Sequence, residues 1–418
     1  MDDDPQQCVA GEIDGLCRFA PGAVKNRLRG RDPRSVFVTV LHDTDRAGTA
    51  RAVHTAGAMN RDRRHILKWF DVEVVSLAIL SRAILPIVAR LTVHSSSPAD
   101  LFIQWDAVYY VGITQHGYTR PMNFFPAFPI FVRGLTIIGF STVPAALLAA
   151  NLLFIVGVWT AARWAAQSGG EDVGLNLALL LMFFPTTIFF STAYPESMLL
   201  LLSAVVFLLA PRRTWLASAF AAIASAARPP GMFLSLVVLI SGPARPWGHR
   251  IAQAGIALTG LFAWCAWNAV AWRNPLAWMA GELAGGRLGH VTSLTGWVLL
   301  PLWQITQSST YVLTSTSGTF LDPLMAIVAV ALLPVLYTER RWSELLYAAP
   351  SVLAPLLTGA VGHRSAGFAR YAVVLLPLLY LGAEWIGSSR WARALTVLIL
   401  ASLALWCINL FFRGQFLG

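Results

Sequence analysis

Residues 97–129 read SPADLFIQWDAVYYVGITQHGYTRPMNFFPAFP and form the first polar stretch after the first strongly apolar segment of the chain. Near the middle of this stretch, the carboxylate of Asp106 stands among three aromatic residues, Trp105, Tyr109 and Tyr110. Solvated loops rarely place so many aromatic side chains around one acid. We therefore take Asp106 as the centre of any chemistry that the chain performs.

The composition indicates an integral membrane protein. Of the 418 residues, 56% are hydrophobic and only 12% are charged, whereas a soluble domain carries about 25% charged residues. The formal net charge of +10 would suggest a nucleic-acid partner if the protein were soluble. Because the arginines lie mostly between apolar runs, membrane topology explains them better. We expect membrane lipids, and no nucleic acid, among the partners.

A membrane-spanning helix needs roughly 20 apolar residues. Apolar runs recur through most of the chain and predict an all-α integral membrane protein with about eleven spans. The candidate spans are 70–93, 142–164, 174–192, 196–210, 214–227, 231–241, 251–271, 321–338, 342–359, 370–387 and 392–411. The segment 296–313 is apolar but contains several Gln and Ser residues, which favours an interfacial or re-entrant position.

Two of these candidates, 214–227 and 231–241, are too short to be independent spans. They meet at Arg228-Pro229-Pro230-Gly231, which must break a helix because proline lacks the backbone donor and clashes with the preceding turn. The two segments therefore form either a tight hairpin or one interrupted span.

Counting the two short segments separately gives a consistent topology. By the positive-inside rule, the cytoplasmic side then holds the pairs Arg212-Arg213, Arg245 with Arg250, Arg340-Arg341, and Arg390 with Arg393. The extracytoplasmic side receives 94–141, 194–197, 228–231, 272–320 and 362–370. Ionisable residues collect on that side, and such groups at membrane depth usually line a cavity or a pathway. We expect an aqueous site there.

Residues 1–58 differ from the rest of the chain. They carry eight acidic and eight basic residues and no sustained apolar period. This region is either a disordered cytoplasmic extension or an upstream misassignment, with translation beginning at Met59. Residues 59–418 form the predicted transmembrane domain.

The polar stretch also has a predicted local structure. Ser97-Pro98-Ala99-Asp100 matches a helix start, with serine as the cap, proline at the first position and an acid at the third. The pattern predicts one helix along the membrane surface that ends at Gly117, with Asp106 at the border of its apolar stripe. The members of that stripe are Leu101, Phe102, Trp105, Val108, Tyr109 and Gly112.

Arg82 lies in the middle of the first predicted span. A guanidinium at that depth needs a partner inside the protein. Glu73 lies nine residues earlier and cannot pair with it within one helical turn.

Two blocks of the chain carry a family resemblance. The first contains Trp105-Asp106, Tyr109-Tyr110, His116-Gly117-Tyr118 and Phe124-Phe125-Pro126-Ala127-Phe128-Pro129. The second is the run 184–197, which ends in Tyr194-Pro195-Glu196-Ser197. In this order they resemble the first luminal loop and the Tyr-x-Glu-Ser block of the PIG-V type mannosyltransferases, the family that adds the second mannose of the GPI anchor in eukaryotes and has bacterial relatives.

Two shorter elements extend the resemblance from about Met59 to the end of the chain. Ala227-Arg228-Pro229-Pro230-Gly231 resembles the family's Arg-x-x-Gly element, and Arg370-Tyr371 with Pro377 resembles its C-terminal Arg-Tyr stretch. The sequence departs from the family at Pro195, where threonine is common, and the region 272–320 is hard to match.

The resemblance implies the GT-C fold of membrane glycosyltransferases. It also implies a polyprenyl (or dolichyl) phosphate mannose donor and a glycolipid or glycan acceptor. The site would face the extracytoplasmic side of the plasma membrane, or the ER lumen in a eukaryote. Asp106 is carried over as the general base that takes the proton of the acceptor hydroxyl. A monophosphate leaving group makes a divalent metal dispensable, so we expect no metal and no cofactor.

The departing phosphate needs cationic donors, and arginine binds phosphate oxygens in a bidentate manner. The candidates for this role are Arg228, Arg370, Arg364 and His363. The candidates for substrate binding are Trp105, Tyr109, Tyr110, His116, Tyr118 and Glu196. Two simpler roles stay open: Glu196 could cap the helix that begins near it, and Arg228 could satisfy carbonyls that the prolines free.

Two other classes of function compete with an enzyme. A transporter or flippase for a lipid-linked sugar would need charges through the span centres and broken helices in pseudo-repeated halves, whereas here the charges cluster at one face and no repeat is visible. A non-catalytic assembly subunit would tolerate loss of Asp106.

Overall fold

The computed structural model describes residues 46–93, 99–242, 246–279, 321–358 and 367–415. Within these ranges the regular structure is helical and contains no strand. The chain divides into two compact units, Met1–Arg64 and His65–Gly418. Of the first unit, only helical residues from Arg46 onwards are described, and all contacts discussed below lie in the second. The predicted boundary at residue 58 stays a prediction.

The helices follow one another with short connections. They are α1 (Arg46–Thr92), α2 (Asp106–His116), α3 (Ala127–Ile137), α4 (Thr142–Gly169), α5 (Glu171–Phe183), α6 (Glu196–Leu209), α7 (Thr214–Ser225), α8 (Pro229–Met232), α9 (Leu234–Ile240), α10 (Trp247–Ala257), α11 (Thr259–Trp272), α12 (Leu321–Thr338), α13 (Trp342–Thr358), α14 (Phe368–Ala372), α15 (Leu376–Ile386) and α16 (Arg390–Phe412). Two 3-10 turns, Asp100–Phe102 and Thr187–Phe190, precede α2 and α6.

Four of the described helical segments are long and apolar enough to cross a membrane: Trp69–Thr92 of α1, and the whole of α4, α12 and α16. Helices α10 and α11 give a fifth span if they are taken together, and they are bent by 50° at their junction. The other predicted spans are shorter or broken helices in the described residues. The prediction of an all-α membrane protein is confirmed, and the count of about eleven spans stays a prediction.

Helix α4 forms the centre of the described bundle and packs against α5 and α6. Small residues let these helices approach closely, since a Cβ added at Gly157 of α4 would lie 3.2 Å from Cγ of Leu200 on α6. On the outer surface, Leu91 is 79% exposed and Trp391 is 87% exposed. Large apolar side chains that face outwards are expected where lipid, and not water, surrounds a helix.

The two short segments around Arg228 form a tight hairpin. A Cβ added at Gly231 would lie 1.9 Å from the carbonyl oxygen of Ala224, and one added at Gly242 would lie 2.4 Å from Thr214. The end of α9 therefore returns to the start of α7, which excludes the alternative of one interrupted span. Because no side chain fits at Gly231 without moving the backbone, glycine is required there.

Arg82 finds the internal partners that the sequence required. Its guanidinium donates to the carbonyl oxygens of Met182 (3.2 Å) and Thr187 (3.1 Å), to the Thr187 hydroxyl (3.0 Å) and to the Ser191 hydroxyl (3.3 Å). It also lies over the ring of Phe154, 4.2 Å from the centroid. These acceptors belong to the broken segment between α5 and α6, where a helix end leaves carbonyls without partners. Arg82 thus holds the chain that leads into Glu196.

The predicted helix through residues 97–117 is wrong in its continuity and in its buried face. Residues 94–98 lie outside the described ranges, the turn Asp100–Phe102 is a separate 3-10 helix, and α2 begins only at Asp106. The break lies at Trp105, which has φ 56° and ψ −123°, a conformation that no helix contains. Because the break resets the helical register, the buried residues of α2 are Ala107, Tyr110, Val111, Ile113 and Thr114. The predicted stop at Gly117 is confirmed, with φ 75°.

Candidate functional site

Four of the predicted site residues meet in one ionic cluster, which we call the arginine–carboxylate cluster: Asp106, Glu196, Arg228 and Arg370. Arg370 is its centre, because its Nη1 donates to Oδ2 of Asp106 at 2.7 Å and its Nε lies 2.9 Å from Oε1 of Glu196. Nη1 of Arg228 donates to the same oxygen of Glu196. Two acids and two bases thus form one continuous network.

Each member of the cluster stands at the end or in the break of a helix. Asp106 and Glu196 are the first residues of α2 and α6, and Arg228 immediately precedes Pro229 at the start of α8. Arg370 belongs to the short helix α14. Helix ends are where the backbone turns, so four separate elements can point charged side chains at one place while their apolar faces stay in the bundle.

The cluster is buried at one end and open at the other. The Glu196 side chain is 0% exposed and both arginine side chains are 8% exposed, whereas the Asp106 side chain is 32% exposed. Oε2 of Glu196 is buried and accepts no hydrogen bond in the described part of the chain. A ligand that reaches the cluster would therefore meet Asp106 first.

Tyr194 holds the backbone at Asp106. Its hydroxyl accepts a hydrogen bond from the backbone N–H of Asp106 (3.1 Å) and donates one to the carbonyl oxygen of Gln104 (3.2 Å). Burial raises the pKa of the Tyr194 phenol, so the hydroxyl keeps the proton that it donates. The two bonds lie on either side of Trp105, whose positive φ costs about 1–3 kcal/mol. Tyr194 therefore helps to maintain the strained turn that places Asp106 at the start of α2.

Aromatic rings surround the two guanidinium groups. Arg228 lies 5.0 Å and Arg370 lies 5.5 Å from the ring centroid of Tyr371, so this ring separates two like charges. Arg370 also lies 5.1 Å from the Tyr194 ring and 5.6 Å from the Phe189 ring. Cation–π contacts of this kind favour a cation where water is excluded.

The backbone beside Arg370 is fixed by two side chains from other elements. Oδ1 of Asp322, in the first turn of α12, accepts the backbone N–H of Ala369 at 2.9 Å. The hydroxyl of Thr186, just before the 3-10 turn, donates to the carbonyl oxygen of the same residue at 2.8 Å. Asp322, Thr186 and Ala369 are all buried. This clamp on Ala369 fixes the point from which Arg370 reaches towards Asp106 and Glu196.

The other predicted substrate-binding residues are divided between the cluster and its surroundings. Tyr110 is buried, and its ring lies 6.3 Å from that of Tyr194. Tyr109 is 44% exposed and stacks on Phe124 at 5.1 Å. Trp105 is 39% exposed and His116 is also exposed. The structure therefore brings Tyr110 next to the cluster and leaves Trp105, Tyr109 and His116 towards the surface.

Tyr118 lies away from the ionic cluster, against a group of tryptophans. Its ring centroid is 4.8 Å from that of Trp264 and 5.1 Å from that of Trp267. His363 and Arg364 lie outside the described residues.

Sequence reasoning missed three residues that organise the cluster: Tyr194, Thr186 and Asp322. Tyr194 and Thr186 belong to the run 184–197 that carries the family resemblance, and that proximity to Glu196 was the available signal. Asp322 had a weaker signal, an acid at the start of an apolar segment, which is also what an ordinary helix start contains.

Among the described residues, no group of three or more His, Cys, Asp or Glu side chains is placed to hold a metal ion. No protein-family model matches the chain, and no curated protein matches it either. Among solved structures, the chain is similar to the oligosaccharyltransferase of Archaeoglobus fulgidus, solved in complex with Zn and sulfate.

That similarity has a TM-score of 0.43 at 10% sequence identity and covers 82% of this chain. The chain spans about half the length of the oligosaccharyltransferase, of which 53% is covered. A likeness this distant does not transfer an activity, so the chemistry has to be argued from the cluster.

The cluster combines groups with complementary abilities. A carboxylate that is partly open to solvent can take a proton from a hydroxyl that approaches it. Two guanidinium groups close to it can bind an anion with several oxygens. Both abilities exist at one place because Arg370 contacts Asp106 directly.

Proposed function

We propose that this protein is a GT-C type glycosyltransferase that moves mannose from a polyprenyl-phosphate donor to a hydroxyl of a glycolipid or glycan acceptor. The observation that carries the proposal is the contact between the partly exposed Asp106 and the buried Arg370. It joins a candidate general base to a candidate phosphate-binding cation. The resemblance to the PIG-V type mannosyltransferases supports mannose as the transferred sugar and the extracytoplasmic face of the plasma membrane as the location.

Donor binding changes the pairing in the cluster. The four charged groups compensate one another, so an arriving phosphate must compete with a carboxylate for a guanidinium. Glu196 is fully buried between two arginines, whereas Asp106 contacts Arg370 alone among the cluster's arginines and is 32% exposed. The phosphate therefore displaces Asp106 from Arg370. The freed carboxylate then faces the sugar carbon, where the acceptor hydroxyl attacks.

The transfer step is a single displacement. The acceptor oxygen forms a bond to the anomeric carbon while its proton moves to Asp106. The bond from that carbon to the phosphate oxygen breaks, and its electron pair leaves with the polyprenyl phosphate. The configuration at the sugar carbon inverts. Arg370 and Arg228 stabilise the charge that develops on the phosphate.

The test uses purified wild-type protein in lipid nanodiscs with labelled polyprenyl-phosphate mannose and a panel of glycolipid and glycan acceptors. We expect a mannosylated product and an equal amount of polyprenyl phosphate. Polyprenyl-phosphate glucose, supplied in parallel, measures the choice of sugar. In proteoliposomes, movement of intact donor across the bilayer without sugar transfer would overturn the enzyme and favour the flippase.

The clamp on Ala369 supplies a prediction about positioning. Thr186→Val removes the hydrogen bond to the Ala369 carbonyl, which stabilises the fold by about 0.5–1.5 kcal/mol. Because Arg370 is the next residue, we expect kcat to fall about 10–100-fold through misplacement of its guanidinium. Steady-state transfer kinetics and thermal unfolding in nanodiscs measure the two effects.

The matched control is Thr160→Val. Thr160 is also buried in the bundle, but its hydroxyl donates to the carbonyl of Val156 within its own helix. Its replacement should leave kcat within about twofold, the range of a distant surface-like change. An equal loss of kcat in both variants would contradict the positioning role of Thr186.

A further inference from the structure

A second group of polar atoms in the described chain is left without partners, and it lies on α11. Four buried side-chain atoms from residues 264–278 make no hydrogen bond within the described chain: the indole Nε1 of Trp264, Trp272 and Trp278, and the amide Oδ1 of Asn268. Trp264 is 3% exposed and Asn268 is 0% exposed. Native proteins leave few buried polar groups unsatisfied, and each such group calls for an explanation.

Three of the four atoms share one face of the helix. Trp264, Asn268 and Trp272 are spaced by four residues, which places them one above another on α11. Elsewhere on the same helix, Phe262 is 57% exposed and Val270 is 85% exposed. The unsatisfied groups therefore lie on a face of α11 that turns into the protein, while other apolar residues of the helix turn outwards.

The covering of this face comes from the first loop. Phe125 lies 6.3 Å from Trp264 and 5.3 Å from Trp278, measured between ring centroids. Tyr118 contacts Trp264 at 4.8 Å, and Trp264 stacks on Trp267 at 5.0 Å with an interplanar angle of 8°. We call this group, formed by Tyr118, Phe125, Trp264, Trp267, Asn268, Trp272 and Trp278, the tryptophan face.

The same loop connects the tryptophan face to the arginine–carboxylate cluster. The Tyr118 hydroxyl donates to the carbonyl oxygen of Phe124 at 2.9 Å. The Phe124 ring lies 5.1 Å from Tyr109 and 5.0 Å from Tyr110, both on the helix that begins with Asp106. A ligand held at the tryptophan face would thus be attached to the residues that position Asp106.

The unsatisfied atoms define the chemistry of the ligand. Three of them are donors and need oxygen acceptors, while Oδ1 of Asn268 is an acceptor and needs a donor. An ionised phosphate only accepts hydrogen bonds and would leave Oδ1 of Asn268 without a partner. Hydroxyl groups both donate and accept. Flat aromatic rings, moreover, offer apolar surface to the carbon-bound hydrogens of a sugar ring.

We propose that the tryptophan face binds a sugar ring of the acceptor. The assignment to the acceptor rests on the proposed function, because the arginines of the other cluster bind the donor phosphate and keep the donor sugar near Asp106. The unsatisfied atoms are shielded by the aromatic rings themselves. The sugar enters by separating Tyr118 and Phe125 from the tryptophans, and its hydroxyls then complete the hydrogen bonds of Trp264 and Asn268.

The decisive experiment separates binding from catalysis. Saturation-transfer NMR in nanodiscs measures binding of methyl α-mannobioside to wild type, Trp264→Phe and Asn268→Leu, with Trp391→Phe as the matched control on an exposed lipid-facing tryptophan. Trp264→Phe keeps an aromatic ring and removes only the N–H. We expect Kd of the mannobioside to rise about tenfold in each of the two face variants, the effect of one lost hydrogen bond, and to be unchanged in Trp391→Phe.

Two further readouts make the outcome unambiguous. Removal of a donor that the free protein leaves unsatisfied should not lower Tm, so a lower Tm in Trp264→Phe with unchanged Kd would show a structural role and overturn the proposal. In transfer assays the acceptor KM should rise about tenfold while the donor KM stays constant. Competition of the mannobioside signal by glycerol 3-phosphate, a lipid-headgroup analogue, would also overturn it.

Failure of this proposal and failure of the proposed function are distinguishable. A wild-type protein that binds the mannobioside through Trp264 but transfers no sugar would refute the enzyme and leave the sugar site in place. Normal transfer with unaltered acceptor KM and Kd in both face variants would refute the sugar site and leave the enzyme in place.

Discussion

Asp106→Asn should lower kcat for mannose transfer by about 100–10,000-fold, the range that a positioned general base contributes. The variant keeps the size and shape of the side chain and can still accept a hydrogen bond from Arg370. It loses the ability to take the proton of the acceptor hydroxyl. Donor binding should not weaken, because the phosphate no longer competes with a charged carboxylate for Arg370. The measurement is single-turnover transfer with donor at saturation, together with the donor Kd.

The control for this variant is Asp100→Asn. Asp100 lies in the 3-10 turn just before α2 and is exposed, so it shares the loop but not the cluster. Its replacement should leave kcat unchanged. Asp106→Glu should retain part of the activity, because the carboxylate is kept but displaced by one methylene group. Normal transfer by Asp106→Asn would exclude Asp106 as the base and favour the non-catalytic subunit.

Glu196→Gln should destabilise the fold by about 3–5 kcal/mol, the cost of removing one partner from a buried ionic group. Glu196 is fully buried and both Arg228 and Arg370 contact its Oε1. Without its charge, two guanidinium groups that lie against the same Tyr371 ring repel each other in a medium that does not screen them. Thermal unfolding in detergent or nanodiscs measures the loss of stability.

Glu171→Gln is the matched control, and its magnitude decides between two explanations of Glu196. Glu171 is an acid in the first turn of α5, as Glu196 is in α6, but it is exposed. An acid that only caps a helix contributes about 0.3–1 kcal/mol. A loss of stability for Glu196→Gln no larger than that for Glu171→Gln would reduce Glu196 to a cap. Partial recovery in the double variant Glu196→Gln with Arg228→Met would confirm the coupling.

The chemistry of the site could be predicted from residue types, while its connections could not. Asp106, Glu196, Arg228 and Arg370 were all candidates from the sequence, because acids and arginines are rare in a chain with 12% charged residues. Their pairing joins positions 264 and 32 residues apart. No local pattern encodes such contacts, since they depend on which helix ends meet when the bundle packs.

Local patterns failed where the tertiary structure imposes a strained conformation. The helical periodicity from Ser97 to Gly117 is regular, yet Trp105 breaks it, and Tyr194 holds the break from 88 residues away. Arg82 is the opposite case. The sequence required an internal partner for it, but the acceptors become available only because the chain is broken between α5 and α6.

The sequence by itself determined that this is an all-α membrane protein, that its charges collect between apolar helices, and that Asp106 belongs to an aromatic polar loop. Composition and periodicity suffice for this because burial of apolar surface in lipid depends only on which residues are apolar and how long their runs are. The tertiary structure alone decided that Arg370 joins Asp106 to Glu196, that Tyr194 and Asp322 fix that arrangement, and that α11 presents unsatisfied indole groups. These features depend on distances between helices, which one-dimensional patterns do not contain.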